Sequence, residues 1–188
     1  MARAPHAVRT VGLAAALVAS LLVLPAAQAT ATTPSFAGVS AGQAHSCGLT
    51  TTGIVACWGS NGALQLGTTQ TPFGYSNVPV AVPGLAGAVV FAIGTGSAHS
   101  CAVTTAGAVS CWGQNTAGSW EHPGTDAPRN SATPVAVAGA SSGVVAVAGG
   151  VNYTCARYTS GAVKCWGQGG SLGIGTIDGK DSATQVVG

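Results

Sequence analysis

The chain has 188 residues, of which only 6 are Lys or Arg and 4 are Asp or Glu, so its formal net charge is +2. Arg3 and Arg9 account for that excess, because the remaining four basic and four acidic residues cancel in residues 30–188. A neutral region lacks the basic patch that attracts nucleic acid or anionic lipid. We therefore expect no nucleic-acid partner, and no membrane partner once the N-terminal segment is removed.

Residues 1–29 have the pattern of a secretory signal peptide. The start is basic, residues 11–24 are an apolar run of 14, and Ala27-Gln28-Ala29 is a small-x-small cleavage site. A membrane-spanning helix needs about 20 apolar residues, so this run is short for an anchor. We predict cleavage after Ala29 and a secreted, extracellular protein, with an uncleaved signal anchor as the alternative. Residues 30–35 are then a short linker.

The rest of the chain is built from a repeat. The pattern C-x9-C-W-G occurs three times, and successive copies are offset by 54 residues both times. A constant offset indicates one structural unit copied side by side. Each copy contains four short strand-like segments bounded by turn residues, without helical periodicity, which is typical of a propeller blade. We predict an all-β fold with units at 36–90, 91–144 and 145–188.

The cysteine spacing predicts a disulfide inside every unit. A hairpin with a three-residue loop places a glycine at its left-handed position and sets the two cysteines directly opposite each other. Opposed residues on antiparallel strands lie within disulfide reach, and export favours oxidation. Zinc is the weaker alternative, because its cysteines are usually closer in sequence. The predicted pairs are Cys47–Cys57, Cys101–Cys111 and Cys155–Cys165, and the turn glycines are Gly53, Gly107 and Gly161.

These units resemble the RCC1 repeat family. The shared features are a G-x-x-H-[ST] stretch, a hairpin, a Trp-Gly pair and a later G-x-x-x-x-L-G loop. The first unit carries all four, whereas Tyr153 replaces the histidine in the third. The resemblance implies a β-propeller, and the cysteine pairs resemble exported bacterial members. Closed rings of this family have about seven blades, so three units predict a partial propeller.

An incomplete ring leaves two blade faces without a neighbour. Such faces are apolar and edged by strands, and neither end unit shows a polar cap. Three explanations stay open at this point: a fragment of a longer product, self-association that completes a propeller, or a short open array.

The recurring polar and aromatic residues favour structural roles. His45 and His99 occupy one repeat position, which indicates a hydrogen bond within each blade. Trp58, Trp112 and Trp166 follow the second cysteine of each unit, which indicates packing between blades. The acidic residues lie in Gly- and Pro-rich connections and form no catalytic pair. We expect no catalytic residue, no metal site and no cofactor.

The loops that differ between the units, at 68–77, 121–131 and 176–182, are the best candidates for function. Phe73 and Tyr75 are aromatic without aromatic counterparts in the other units, and Glu121 and His122 lie in the second loop. Variable loops on a rigid scaffold are typical of partner contact, although the two aromatic rings could instead tuck under their own loop. We expect a non-enzymatic module that binds an unknown protein or cell-surface polymer. A secreted hydrolase inhibitor is the alternative on fold analogy, and a propeller hydrolase or lyase is disfavoured by the scarcity of acidic residues.

Overall fold

The structure is a computed structural model that describes residues 34–71, 74–85, 88, 90–115 and 130–188. The predicted signal peptide, Phe73, Glu121 and His122 lie outside these residues. Among the described residues no helix is both long and apolar enough to cross a bilayer.

Three antiparallel sheets of four strands make up the described part of the chain. In each sheet the strands are adjacent in chain order, as in a propeller blade. Blade 1 contains β1 (Phe36–Ala41), β2 (His45–Thr50), β3 (Val55–Ser60) and β4 (Tyr75–Ala81). Blade 2 contains β5 (Val90–Thr95), β6 (His99–Thr104), β7 (Val109–Gln114) and β8 (Asn130–Ala136). Blade 3 contains β9 (Val144–Gly149), β10 (Tyr153–Tyr158), β11 (Val163–Gly167) and β12 (Lys180–Gln185). The predicted all-β fold class is confirmed.

The central hairpin of each blade has the predicted three-residue loop. In blade 1 the Thr50 amide donates to the Ile54 carbonyl at 2.8 Å, and the Gly53 amide donates to the Thr50 carbonyl at 3.0 Å. Gly53 has a φ of 83°, and its equivalents Gly107 and Gly161 have 76° and 85°. A side chain disfavours this left-handed conformation, so glycine closes the turn.

This turn sets the register that pairs the cysteines. Cys47 lies opposite Cys57, Cys101 opposite Cys111, and Cys155 opposite Cys165. All three pairs are disulfide-bonded, with Cα atoms 4.0, 4.0 and 4.1 Å apart. Their Cα spacing is that of a close, non-hydrogen-bonded pair, which is about 4.5 Å in an ordinary sheet. The prediction of intra-unit disulfides is therefore confirmed.

The fourth strands begin earlier than the sequence pattern suggests. We expected variable loops at 68–77, 121–131 and 176–182, but β4 starts at Tyr75, β8 at Asn130 and β12 at Lys180. Each of these strands also bulges, because three of its residues lie opposite the single tryptophan of the third strand. Pro79 and Pro134 lie within the bulges, where a missing amide hydrogen costs no ladder bond.

The core lies between the blades. Strand β5 contacts both β1 and β9, so the first strands are neighbours on the inner side of the array. Trp112 is fully buried in a cluster with Leu49, Val55 and other blade 1 residues. Trp166 is fully buried in the equivalent cluster against blade 2. Trp112 and Trp166 therefore each pack onto the blade that precedes their own.

Trp58 departs from the expected packing between blades. No blade precedes it among the described residues, and its side chain is only half-buried. Its ring lies 5.9 Å from that of Phe36, centroid to centroid. The Phe36 ring also covers Gly48, where the other blades have Ala102 and Ala156. Within the described residues, Trp58 therefore makes no contact with a preceding blade, and the interblade packing expected of it stays a prediction.

Candidate binding surface at the loop rim

The array has two distinct rims. Because the strands alternate in direction, the turns between the first and second strands lie at the same end as the connections between the third and fourth strands. We call this end the loop rim. The hairpin turns at Gly53, Gly107 and Gly161 lie at the opposite end, the hairpin rim.

An inner groove of about 480 Å³ opens on the loop rim, and equivalent residues of all three blades line it. They are Ala41, Gly42, Gln43, Thr95, Gly96, Ser97, Gly149, Gly150 and Val151. No charged side chain belongs to this lining, so the groove suits a neutral polar partner. We did not predict it, although glycines at matching positions of the units were a usable signal.

Glycine is required in this groove because neighbouring blades approach closely. A Cβ atom on Gly42 would lie 2.4 Å from the Gly96 carbonyl oxygen, and one on Gly96 would lie 2.5 Å from that of Gly150. Polar contacts link the same turns, since Ser97 Oγ donates to Gln43 Oε1 at 2.6 Å. The glycines thus permit a continuous surface from blade to blade.

A second groove, of about 430 Å³, lies at the outer edge of blade 1. Gln70, Thr71, Tyr75, Asn77 and Val78 are among its lining residues. Tyr75 is 54% exposed and Val78 is 59% exposed. The register places Asn130 at the position of Tyr75 in blade 2, since Tyr75 pairs with Ser60 and Asn130 pairs with the equivalent Gln114. At this register position an exposed aromatic ring in blade 1 is thus replaced by an asparagine in blade 2.

The two histidines of the repeat motif, His45 and His99, are buried and link neighbouring blades. His45 Nε2 lies 2.8 Å from Ser100 Oγ of blade 2, and His99 Nε2 lies 2.8 Å from Thr154 Oγ1 of blade 3. We expected hydrogen bonds within each blade, but the partners are in the next blade. Both contacts span 55 residues, which is one repeat plus one, so the same bond recurs at each junction.

The hydrogen bonds of Ser100 determine which ring nitrogen of neutral His45 carries the hydrogen. The Ser100 hydroxyl donates to the Gln65 carbonyl at 3.0 Å, so His45 Nε2 carries the hydrogen that Ser100 accepts. His45 Nδ1 is buried and has no hydrogen-bond partner among the described residues. A proton on Nδ1 would place an unpaired charge in the interior. Burial accordingly lowers the pKa of His45 from 6.5 to about 4. Burial, and secondarily the charge of His45, lowers the pKa of His99 to about 4.

The loop after β3 also contributes hydrogen bonds to the junction between blades 1 and 2. The Gln65 carbonyl accepts hydrogen bonds from Trp112 Nε1 and Ser100 Oγ, both at 3.0 Å. Asn61 shapes the loop, since its amide nitrogen donates to the Thr68 carbonyl and its side-chain oxygen accepts from the Leu66 amide. The rim loop of blade 1 is thereby attached to the core of blade 2.

The described residues offer little for catalysis or metal binding. They contain no group of three or more His, Cys, Asp or Glu side chains that could hold a metal ion. All six cysteines are in disulfides, and both described histidines bond to neighbouring blades. Asp178 and Asp181 lie exposed near the start of β12.

Comparison with known proteins agrees with this architecture. Two family models, each described as "Regulator of chromosome condensation (RCC1) repeat", match this chain. One matches residues 36–65 and 92–119, and the other matches residues 52–103. The chain belongs to the RCC1-repeat family. The resemblance inferred from the Gly, His and Trp-Gly motifs is confirmed.

Individual relatives are longer than this RCC1-repeat chain. The mitochondrial RCC1 domain-containing protein RUG3 of Arabidopsis thaliana is 31% identical over 77% of this chain and 32% of its own length. Yeast RCC1 (Prp20), in its crystal structure with Kap60, has a TM-score of 0.71 at 19% identity, covering 81% of this chain and 37% of that one. Prp20p of Saccharomyces cerevisiae, in a structure reported with its binding to Gsp1p and histones, has a TM-score of 0.69 at 20% identity, covering 81% and 38%. This chain therefore spans about a third of each.

Proposed function

We propose that this chain is an exported, non-enzymatic RCC1-repeat module that binds a protein or a cell-surface polymer through its loop rim. The observation that carries the proposal is Tyr75, whose exposed ring stands beside an uncharged groove at that rim. Tyrosine offers a large contact area with little loss of side-chain entropy, which favours it at binding sites.

Export is supported by two independent features. The N-terminal pattern is that of a signal peptide, and three disulfides pin the three blades. Disulfides persist in oxidising compartments and are rare in the cytosol. The pairing is also complete, since no free cysteine remains.

A binding role, rather than a catalytic one, is favoured by the chemistry of the rim. The inner and outer grooves are lined by glycine, hydroxyl, amide and aliphatic groups, with the Tyr75 phenol as the single titratable side chain. General acid–base catalysis needs a positioned titratable group within hydrogen-bond reach of the reacting atoms. The solved relatives are reported with protein partners, namely Kap60, Gsp1p and histones. The fold is thus compatible with protein binding.

The experiment compares two exposed side chains of blade 1 at opposite rims. Tyr75 and Ile54 are both 54% exposed, and Ile54 lies at the hairpin rim. Oxidised chain, immobilised in equal amounts, is incubated with extracellular proteins and surface polysaccharides of the producing organism. We expect Tyr75→Ala to weaken capture of the bound species about tenfold or more, as for a contact residue worth at least ~1.4 kcal/mol. Ile54→Ala serves as the control and should retain wild-type capture.

Two outcomes would contradict the proposal. Capture that is lost in Ile54→Ala and kept in Tyr75→Ala would place the contact at the hairpin rim. Wild-type chain that captures nothing above an inert protein of equal size would remove the binding function itself.

A further inference from the structure

Two sheet faces have no neighbouring blade among the described residues. The open face of blade 1 presents Phe36, Val39 and Trp58, and the open face of blade 3 presents Cys155, Arg157 and Val163. Phe36 is 37% exposed, whereas its equivalent in blade 2, Val90, is 3% exposed. Val39 is 69% exposed, whereas its equivalent in blade 3, Val147, is 8% exposed. A contiguous apolar face of this kind marks an interaction site.

The two junctions inside the chain show what such faces bind. At both, a tryptophan and aliphatic side chains of one blade pack on the cysteine and valine face of the preceding blade. Trp58 is the equivalent of the packed Trp112 and Trp166. At the other end, a depression of about 170 Å³ on blade 3 is lined by Cys155, Val163 and Arg157. On blades 1 and 2 the equivalent surface is covered by the tryptophan of the following blade. The open faces are therefore the two halves of one such junction.

Departures from the repeat on these faces are complementary. Arg157 takes the position of Leu49 and Val103, which are buried beneath the following blade. Phe36 takes the position of Val90 and Val144, which are buried against the preceding blade. One end has exchanged an aliphatic side chain for a cation, and the other has exchanged one for an aromatic ring. A guanidinium group stacks favourably on aromatic faces.

We propose that the open face of blade 1 in one copy docks on the open face of blade 3 in a second copy, with Arg157 against Phe36 and Trp58. The same superposition of junctions brings Ser46 to Tyr153, the counterparts of the Ser100–His45 pair. Two equivalent contacts of this kind would join two chains into a ring of six blades, one fewer than the about seven of this family's closed rings and within the four to eight of propellers in general. The inference is independent of the proposed binding function, because these faces are the flat sides of blades and the loop rim lies elsewhere.

Light scattering on the full chain, produced by export and purified in oxidised form, tests the docking. We expect a defined species of twice the mass of one chain at micromolar concentration. Phe36→Lys places a cation opposite Arg157, and Arg157→Glu removes the cation, so each should raise the dimer dissociation constant about tenfold or more. Combining the two restores opposite charges and should return the constant to within about threefold of wild type.

A matched control and the rescue separate docking from misfolding. Lys180→Glu makes the same charge change on the outer strand of blade 3, away from the open face, and should leave the dimer intact. A misfolded single variant could not regain association through a second surface charge. Wild-type chain that remains a monomer, or a dimer unaffected by both single substitutions, would overturn the proposal.

Discussion

Replacing Trp112 with alanine should lower the free energy of unfolding by about 3–5 kcal/mol, the usual cost of emptying a buried aromatic site. The Trp112 side chain is fully buried between blades 1 and 2. Its removal also leaves the Gln65 carbonyl without the indole donor at 3.0 Å. Urea unfolding of the oxidised protein measures the change.

Trp58→Ala is the matched control, because the two residues occupy the same repeat position. Trp58 is half-buried and packs chiefly on Phe36. In solutions dilute enough for the chain to be monomeric, we expect this substitution to cost about 1–2 kcal/mol, an ordinary value for a partly exposed side chain. If the two substitutions lowered the free energy of unfolding equally, the larger contribution of Trp112 could not come from its burial against a preceding blade.

Acid should destabilise the protein through His45 and His99. Burial lowers the folded-state pKa of both from 6.5 to about 4. Between these pH values the unfolded chain binds more protons than the folded chain, so stability falls as the pH drops from 6.5 towards 4. Above pH 6.5 this contribution is fully present. The expected loss is about 3 kcal/mol for each histidine.

Unfolding free energies measured from pH 7.5 to pH 4 test this linkage. His99→Gln provides the control, since the side-chain amide can either donate a hydrogen bond to Thr154 Oγ1 or accept one from it, and it has no titratable group. This variant should be less stable than wild type at pH 7.5 and should lose about half as much stability on acidification. A pH profile identical to that of wild type would contradict the assignment of the acid sensitivity to the buried histidines.

The hairpins could be predicted because their determinants are local. The loop glycine, together with two cysteines placed symmetrically about Thr52, fixes the register within 11 residues, from Cys47 to Cys57. The start of β4 was not predictable in the same way. It depends on how the loop after β3 folds, and that loop is organised by Asn61 contacts that no periodicity reveals.

Contacts between blades were only partly accessible from the sequence. The repeat indicated that the tryptophans pack between blades, yet the pattern alone could not show which blade each one faces. The structure gives the direction, and with it the exception at Trp58. Blade 1 has Gly48 and Phe36 where the other blades have alanine and valine, but the reason for this break in the repeat becomes clear only from the position of the Phe36 ring over Gly48.

Mapping the disulfides of the unreduced protein tests the account most directly, because every blade depends on the hairpin register that they report. Trypsin can cleave after Arg129, Arg157, Lys164 and Lys180, which separates Cys155 and Cys165 from each other and from the remaining cysteines. The account predicts a linked pair of peptides, 130–157 and 165–180, and a separate peptide that contains the other four cysteines. Chymotryptic cleavage between blades 1 and 2 should then release Cys47–Cys57 apart from Cys101–Cys111. A disulfide that joins cysteines of two different units would contradict the blade register and the surfaces derived from it.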